Sequence, residues 1–488
     1  MFAEQAWILN RASLTPHRLA LVNLETKEQW TYQQLTYEIA KWSSFFEKQG
    51  LQTGSRVAIF ARNNIQLFAI LFACGLRGLI YVPLNWRLNT KELSEIVADA
   101  TPSMLLYDQD VRCPIQLKNM YPIQQVPQSA SVPSKIEMDV NEPWLMIYTG
   151  GTTGKAKGVV LSFNSVNWNA INTIISWGLS EEDCTLNYMP MFHTGGLNAL
   201  SIPLLMAGGT VVIGDKFEAE TALRAINHYK TTISLFVPTM YQAMITTDYF
   251  QKSSFPSVKV FLSGGAPCPL SIYDAFFKKG LYFKEGYGLT EAGPNNFYIS
   301  REEAYAKKGA VGKSMQFIEA KIINKDGKNC TAHEVGELFV RGRHMFRFYW
   351  NNQQETDNTI CDGWLKTGDL ATMDEDGYFY IVGRRKEMII SGGENIYPQE
   401  VEQCLLRHPL VKEAAVIGVP DNYWGEIVTA FVVCQQQSDT LITEVKALCR
   451  NELGHYKIPK KIIIIDELPK TIVGKIDKKA LHMQLKSS

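Results

Sequence analysis

Neither sign of charge is in surplus: 49 Lys plus Arg stand against 49 Asp plus Glu in 488 residues. Binding to a nucleic-acid backbone needs an excess of cations, so nucleic acid is excluded as the main ligand. A locally basic groove for a small phosphorylated molecule is not. The nine cysteines are an odd count and form no C-x-x-C pair. That speaks against a disulfide framework and a structural zinc site, and suits thiols in a reducing cytoplasm. No apolar run reaches the roughly 20 residues of a membrane helix. The most apolar stretch, residues 68–84, is broken by Arg77 and Pro83. The first residues lack a basic region followed by an apolar one, so no secretory signal is expected. Repeats and low-complexity tracts are also missing. What remains is an ordinary globular composition, sufficient for about two to four domains.

Residues 57–60 read as a buried strand, 64–77 as a helix, 79–83 as a strand, 90–99 as a helix and 104–107 as a strand. This is the rhythm of a parallel α/β sheet. It returns with strands at 210–213, 232–237 and 258–263 and helices at 219–229 and 240–245, so two α/β lobes are expected. Residues 114–143 read as an irregular connection. From about residue 307 short alternating strands follow (319–323, 337–341, 370–373, 378–382), with Asp326-Gly327 and Asp376-Gly377 as turns, which predicts a small β unit. After Arg384-Arg385-Lys386 comes a last unit of about 100 residues. It has helices at 399–407 and 441–453, strands at 413–419, 428–433 and 461–465, and a frayed end at 486–488. The expected fold class is α/β: two lobes and a small β unit, then a small α+β C-terminal domain.

The densest local signal follows an apolar strand at 144–148: Thr149-Gly150-Gly151-Thr152-Thr153-Gly154-Lys155-Ala156-Lys157-Gly158. Glycines let backbone N–H groups turn toward an anion, hydroxyls add donors and lysines add charge, so the stretch reads as a phosphate loop. It lacks the G-K-[ST] of the P-loop. A flexible surface turn is the plainer alternative.

Other stretches carry chemistry only conditionally. His193, in Pro190-Met191-Phe192-His193-Thr194-Gly195-Gly196, has the setting of a structural histidine. In Ser263-Gly264-Gly265-Ala266-Pro267 the glycines permit close approach of a flat ring, or simply a tight turn. In Glu285-Gly286-Tyr287-Gly288-Leu289-Thr290-Glu291, Tyr287 can stack on a base and Thr290 can bond a phosphate oxygen. Glu291 can hold Mg²⁺ there; a helix start capped by Thr290 is the alternative. Asp369, in Gly363-Trp364-Leu365-Lys366-Thr367-Gly368-Asp369, can accept two hydroxyl hydrogen bonds, or else mark a turn.

Taken in order, these stretches resemble the motifs of the acyl-adenylate-forming enzymes: acyl- and aryl-CoA synthetases, luciferases and adenylation domains of peptide synthetases. The resemblance runs from Trp30-Thr31-Tyr32-x-x-Leu35 to Pro469-Lys470-Thr471-Ile472-Val473-Gly474-Lys475. Gly150 stands where the family usually has Ser, Ala156 where it has Pro, and Gly383 where it often has Asp. The resemblance implies ATP with Mg²⁺, coenzyme A as co-substrate, and ATP contacts along 149–155, Lys157, 264–266, 285–288, Thr290, Asp369 and Arg384. It implies Lys475 as the catalytic lysine, with Thr290 and Glu291, and Glu291 as the metal ligand. It places His193 at the acyl pocket and Gly392-Gly393 on the loop presented to coenzyme A. A hinge at 383–386 between domains 1–382 and 387–488 would let the small domain swing.

Gly286 stands where the acyl group would pass, and Gly there resembles fatty-acyl and coumarate-type ligases. With Leu197, Phe236, Met240 and Phe297 as an apolar tunnel, the expected substrate is a hydrophobic monocarboxylic acid of medium/long-chain fatty or aryl type. The alternatives are an o-succinylbenzoate–CoA ligase of menaquinone synthesis, a free-standing adenylation enzyme loading a carrier protein, a luciferase-type oxygenase and a non-catalytic nucleotide binder.

Overall fold

The computed structural model describes residues 2–125, 127, 136–150, 155–434, 440–471 and 475–487. Its first lobe is a seven-stranded sheet. The order is Phe348–Tyr349, Ala156–Ser162, Pro143–Gly150, Ile80–Pro83, Arg56–Phe60, Met104–Tyr107, Met120–Pro122. The strands from Pro143–Gly150 to Met120–Pro122 run parallel, and Ala156–Ser162 returns antiparallel as a hairpin arm. Gln66–Leu76 is buried along nearly its whole length, which is why its sequence is apolar on every face rather than amphipathic. Trp144 locks it to the sheet: its indole N–H donates to the Leu71 carbonyl at 3.0 Å and its ring stacks on Phe163 at 5.0 Å.

The second lobe is built from two sheets. One has the order Gln29–Thr31, Leu19–Asn23, Thr210–Ile213, Cys184–Asn187; the other is Ile233–Phe236, Val260–Ser263, Phe283–Glu285, all parallel. They meet where Thr232 N–H donates to the Cys184 carbonyl at 2.8 Å. Helix Tyr32–Lys48 starts at a capping box: the Thr31 hydroxyl accepts from Gln34 N–H at 3.2 Å and Gln34 Oε1 accepts from Thr31 N–H at 2.8 Å, so two donors of the first turn are satisfied. The predicted β unit is an antiparallel sheet of Glu319–Ile323, Gly336–Arg341, Trp364–Met373, Ile360–Cys361 and Phe379–Arg384.

In the C-terminal part, the long strands Val411–Asp421 and Gly425–Cys434 pair with Ile389–Ser391 and Lys461–Ile464. Their alternation buries both faces. Ala414, Val416, Val428 and Ala430 meet helices Pro398–Leu405 and Leu441–Glu452, while Ala415, Ile417 and Phe431 meet Leu468 and Leu481.

Four expectations change. Residues 114–143 contain an edge strand, Met120–Pro122. Residues 364–369 are not a turn but the first half of a ten-residue strand, with Gly368 at φ +71°. The chain end carries helix Lys478–Ser487, held by Leu481 in the core and by Lys478 ion pairs to Glu402 at 2.8 Å and Glu387 at 3.4 Å. Thr290 opens a single 3₁₀ turn whose cap position is Leu289, so it is no cap. All nine cysteines are free, and no helix among the described residues is long and apolar enough to cross a membrane.

The aromatic core of the second lobe turns on Tyr241, fully buried, with its hydroxyl 3.0 Å from the Ser234 carbonyl and 2.9 Å from the Leu262 carbonyl. Tyr241→Phe keeps the ring and removes the hydrogen bond across two strands. It is expected to cost about 1–2 kcal/mol, read as a lower urea midpoint with an unchanged circular dichroism spectrum.

Candidate active site

The motif stretches leave the carboxyl ends of parallel strands, where open α/β sheets place their ligands. Gly264-Gly265-Ala266 follows Val260–Ser263, Gly286-Tyr287-Gly288 follows Phe283–Glu285, and the stretch to His193 follows Cys184–Asn187. The two ends of the phosphate stretch lie on paired antiparallel strands, with Thr149 opposite Lys157 and Gly150 opposite Ala156; Gly151, Thr152, Thr153 and Gly154 lie outside the described residues. Lys155 is exposed. Lys157 is ion-paired with Glu355 and sits 5.3 Å over the Tyr349 ring. The Tyr349 hydroxyl donates to Glu291 Oε1 at 2.8 Å, so this tyrosine ties the hairpin to the Thr290-Glu291 turn.

Gly288 has to be glycine. A Cβ there would stand 2.3 Å from the Pro294 carbonyl carbon, because the chain folds back on itself directly after Glu291. Asp369 is buried, and Arg384 lies opposite it across two antiparallel strands. Arg384 Nε is 2.7 Å from Asp369 Oδ1, and the Tyr287 hydroxyl donates to Oδ2 at 2.6 Å. Burial pushes the Asp369 carboxyl above its ordinary range, against the pull of Arg384 and Tyr287.

Lys475 arrives from the C-terminal part of the chain. Its backbone is clasped by Thr471, whose N–H donates to the Lys475 carbonyl at 2.6 Å and whose hydroxyl accepts from Lys475 N–H at 3.2 Å. Burial pushes its ammonium below the usual lysine range. Arg384 pushes the same way and Asp369 opposes. His193 feels Lys475 too: burial first, then Lys475 and Arg87, bring the imidazole down to about 4. His193, Asp369, Arg384 and Lys475, spread over nearly three hundred residues of sequence, therefore share one electrostatic neighbourhood.

A family model described as "AMP-binding enzyme" matches residues 8–350, and its C-terminal domain model matches 400–475. The chain belongs to the AMP-binding enzyme family. It is 35% identical to a feruloyl-CoA synthase of Amycolatopsis sp, over 96% of each chain. It is 34% identical to an indoleacetate–CoA ligase of Aromatoleum aromaticum, covering 97% of this chain and 96% of the other. Among solved structures it resembles the o-succinylbenzoate–CoA synthetase of Bacillus subtilis in complex with its acyl-adenylate intermediate: TM-score 0.89, 32% identity, 99% of this chain and 98% of that one. The same Bacillus enzyme has been solved with ATP and a magnesium ion.

Not every expected residue of this AMP-binding enzyme faces the shared neighbourhood. The Glu285 carboxyl turns behind the strand end, accepting from Cys268 N–H and the Tyr273 hydroxyl, each at 3.2 Å, and burial raises it to about 8; only its main chain can serve a ligand. Phe236 is fully buried against Tyr188, Phe217 and Tyr241, and Leu197 is fully buried in the main core. Phe297 packs between Tyr287 and Phe379. These three fill cores and do not line a tunnel, whereas Met240 is only partly buried at the edge of the second core. Gly392 and Gly393, at φ +61° and +85°, form the two-residue turn of hairpin Ile389–Ser391/Glu394–Ile396 and are exposed.

No group of three or more metal-ligating side chains occurs among the described residues. Glu291 offers one carboxylate oxygen beyond the bond from Tyr349. This fits a magnesium ion that takes its other ligands from phosphate and water. Tyr349 and Glu355 were missed in the sequence, where Phe348-Tyr349-Trp350 is merely an apolar run.

A pH dependence follows from two histidines. His344, fully buried with Nε2 2.9 Å from Asn296 Oδ1, is also brought down to about 4 by burial. Unfolded histidine titrates near 6.5, so between about 4 and 6.5 the unfolded chain binds more protons and stability falls as pH falls. The urea midpoint is expected to drop from pH 7 to pH 5, and His344→Gln is expected to make that drop shallower.

Proposed function

We propose that this AMP-binding enzyme is an ATP-dependent acid–thiol ligase that converts an aryl carboxylic acid to its CoA thioester through an acyl-adenylate. The observation that carries the reading is the buried Asp369 carboxyl held by Arg384 and Tyr287 at the carboxyl ends of the strands, with Lys475 within electrostatic reach of it. Relatives acting on feruloyl, indoleacetate and succinylbenzoate groups support the aryl class over a fatty one.

In the first step the substrate carboxylate attacks the α-phosphorus of ATP. A P–O bond forms, the bond to pyrophosphate breaks, and acyl-AMP remains. Positioning and charge stabilisation supply the catalysis. The stretch 149–157 and the Thr290 hydroxyl hold phosphate oxygens, Tyr287 and the 264–266 turn bracket the adenine, and Asp369 with Arg384 holds the ribose. Glu291 holds Mg²⁺, which neutralises phosphate charge. Lys475 stabilises the charge gathering between the carboxylate and the α-phosphate. Because His193 is neutral above about pH 4, it lines the acyl entrance without adding charge there.

The C-terminal domain, 387–488, then turns about residues 383–386 against 1–382. It withdraws Lys475 and brings Gly392-Gly393 to the site. The coenzyme A thiolate attacks the acyl carbon, a C–S bond forms and AMP leaves. One pocket thereby runs two chemistries in succession. Nine free thiols suit a cytoplasmic setting.

A second reading, an o-succinylbenzoate–CoA ligase, is supported by the likeness to the Bacillus enzymes. A panel of aryl, fatty and dicarboxylic acids with ATP and CoA, read by AMP release, separates the two. Turnover of succinylbenzoate alone would replace the main reading. Lys475→Ala is expected to slow acyl-AMP formation by about 10²–10³-fold. Thiolysis of preformed acyl-AMP and affinity for ATP should change little; equal loss in both half-reactions would contradict the assigned role.

A further inference from the structure

Lys155 is exposed, whereas the Lys157 side chain is only 15% exposed and is paired with the Glu355 carboxylate, which is 35% exposed. The Lys157 ammonium lies 5.3 Å over the Tyr349 ring, and the hydroxyl of that tyrosine donates to Glu291 Oε1 at 2.8 Å. A magnesium-bound triphosphate would want both charges, the ammonium and the Glu291 carboxylate. They meet one aromatic side chain, one at its face and the other at its edge. Lys157 nonetheless takes Glu355, not Glu291, as its ion partner.

The backbone builds these four residues into one unit. Tyr349 is paired with Val159 across antiparallel strands, so it rides on the arm that carries Lys157. Its N–H donates to the Thr356 hydroxyl at 2.9 Å. Thr356 follows Glu355 on helix Gln353–Thr359, where Asn352 Oδ1 accepts from Glu355 N–H at 3.1 Å. On the other side, Phe346 N–H donates to the Glu291 carbonyl at 2.8 Å. The frame is tied together, and the side-chain ends can exchange partners within it.

A mostly buried ammonium needs a counter-charge at every stage of a reaction cycle. A bound triphosphate supplies one, and when pyrophosphate leaves it has to be replaced. Glu355 is placed to replace it, and as the wetter partner it can also turn aside into water when phosphate returns. A ring face attracts a cation without neutralising it. Tyr349 therefore keeps the ammonium in place through the exchange, while its hydroxyl fixes one oxygen of Glu291 and leaves the other for the metal.

We infer that Glu355 is the exchange partner of Lys157, and that Tyr349 is the spacer that keeps Lys157 off Glu291. Both are positioning residues at the pyrophosphate end of the site, and they ease the departure of pyrophosphate without touching the reacting atoms. The inference rests on the reading of Lys157 as a phosphate ligand and Glu291 as the magnesium ligand, and deepens it.

The test measures binding rather than turnover. Calorimetry gives the affinities for pyrophosphate, α,β-methylene-ATP and AMP, each with magnesium. Electron paramagnetic resonance gives the affinity for manganese in the presence of the ATP analogue. Glu355→Gln is expected to bind pyrophosphate and the analogue about threefold more tightly and AMP unchanged, since AMP lacks the departing phosphates. Tyr349→Phe keeps the ring and is expected to weaken manganese binding about tenfold, again with AMP unchanged. A merely structural role would weaken all ligands together in both variants. A Glu355→Gln protein that binds neither pyrophosphate nor the analogue more tightly overturns the inference, whether or not Tyr349→Phe folds. So does a Tyr349→Phe protein with an unaltered thermal midpoint and unaltered manganese affinity. Lys157→Ala keeps the two levels apart: if it binds pyrophosphate and the analogue as the unmodified protein does, Lys157 is no phosphate ligand, and the reading of the site fails rather than the exchange.

Discussion

Asp369 carries a carboxyl that is almost wholly shut off from water, and everything near it is arranged to bear that cost. A buried carboxylate survives only with partners, and here Arg384 and Tyr287 supply one each. Both come from different elements, a β-strand of the small antiparallel unit and a turn of the second lobe. The carboxyl therefore fixes two pieces of the chain to one another. Such a pair is weak evidence for stability but strong evidence for position, since removing Arg384, itself 45% exposed, would strand the buried carboxylate. Lys475 enters the same neighbourhood already disfavoured by burial and by Arg384. An anion arriving there, such as a phosphate, would relieve both effects at once. This is the electrostatic logic of a site that waits for a nucleotide.

Much of the fold can be read locally, and the reasons for the exceptions are specific. The strands and helices of the two lobes show themselves through period-two and helical patterning, which depend only on neighbours in sequence. The strand Trp364–Met373 hides because its first half contains Thr367-Gly368, the composition of a turn; only its pairing with Gly336–Arg341 and Phe379–Arg384 makes it a strand. Helix Lys478–Ser487 hides because its basic, polar sequence has one deeply buried anchor, Leu481, and ion pairs to distant acids. Tertiary context decides both, and it overrides local propensity.

The same distinction runs through the site. Residues in a contiguous motif are legible together, because the turn that holds them is local. Partners that arrive from afar are not: Glu355 for Lys157, Tyr349 for Glu291, Tyr273 for Glu285. Apolar residues are ambiguous in another way. Leu197, Phe236 and Phe297 have the composition of a pocket wall, but a wall and a core use the same side chains, and only exposure tells them apart.

The register of the small antiparallel sheet also constrains where the proposed swing can occur. Gly383 pairs with Leu370 and Arg384 with Asp369, so the first half of the segment 383–386 belongs to the sheet rather than to a free linker. A rotation that began before Arg384 would pull its guanidinium from a buried carboxylate and leave that carboxylate with the Tyr287 hydroxyl alone. A rotation that begins after it leaves the pair intact. The chain changes character at that point: Arg385–Glu387 is a single exposed 3₁₀ turn with no buried side chain, and Glu387 is held from the other side by Lys478. A pivot that kept the Asp369–Arg384 pair while releasing Lys475 would therefore lie at Arg385-Lys386, and the ion pair Lys478–Glu387 would travel with the moving part.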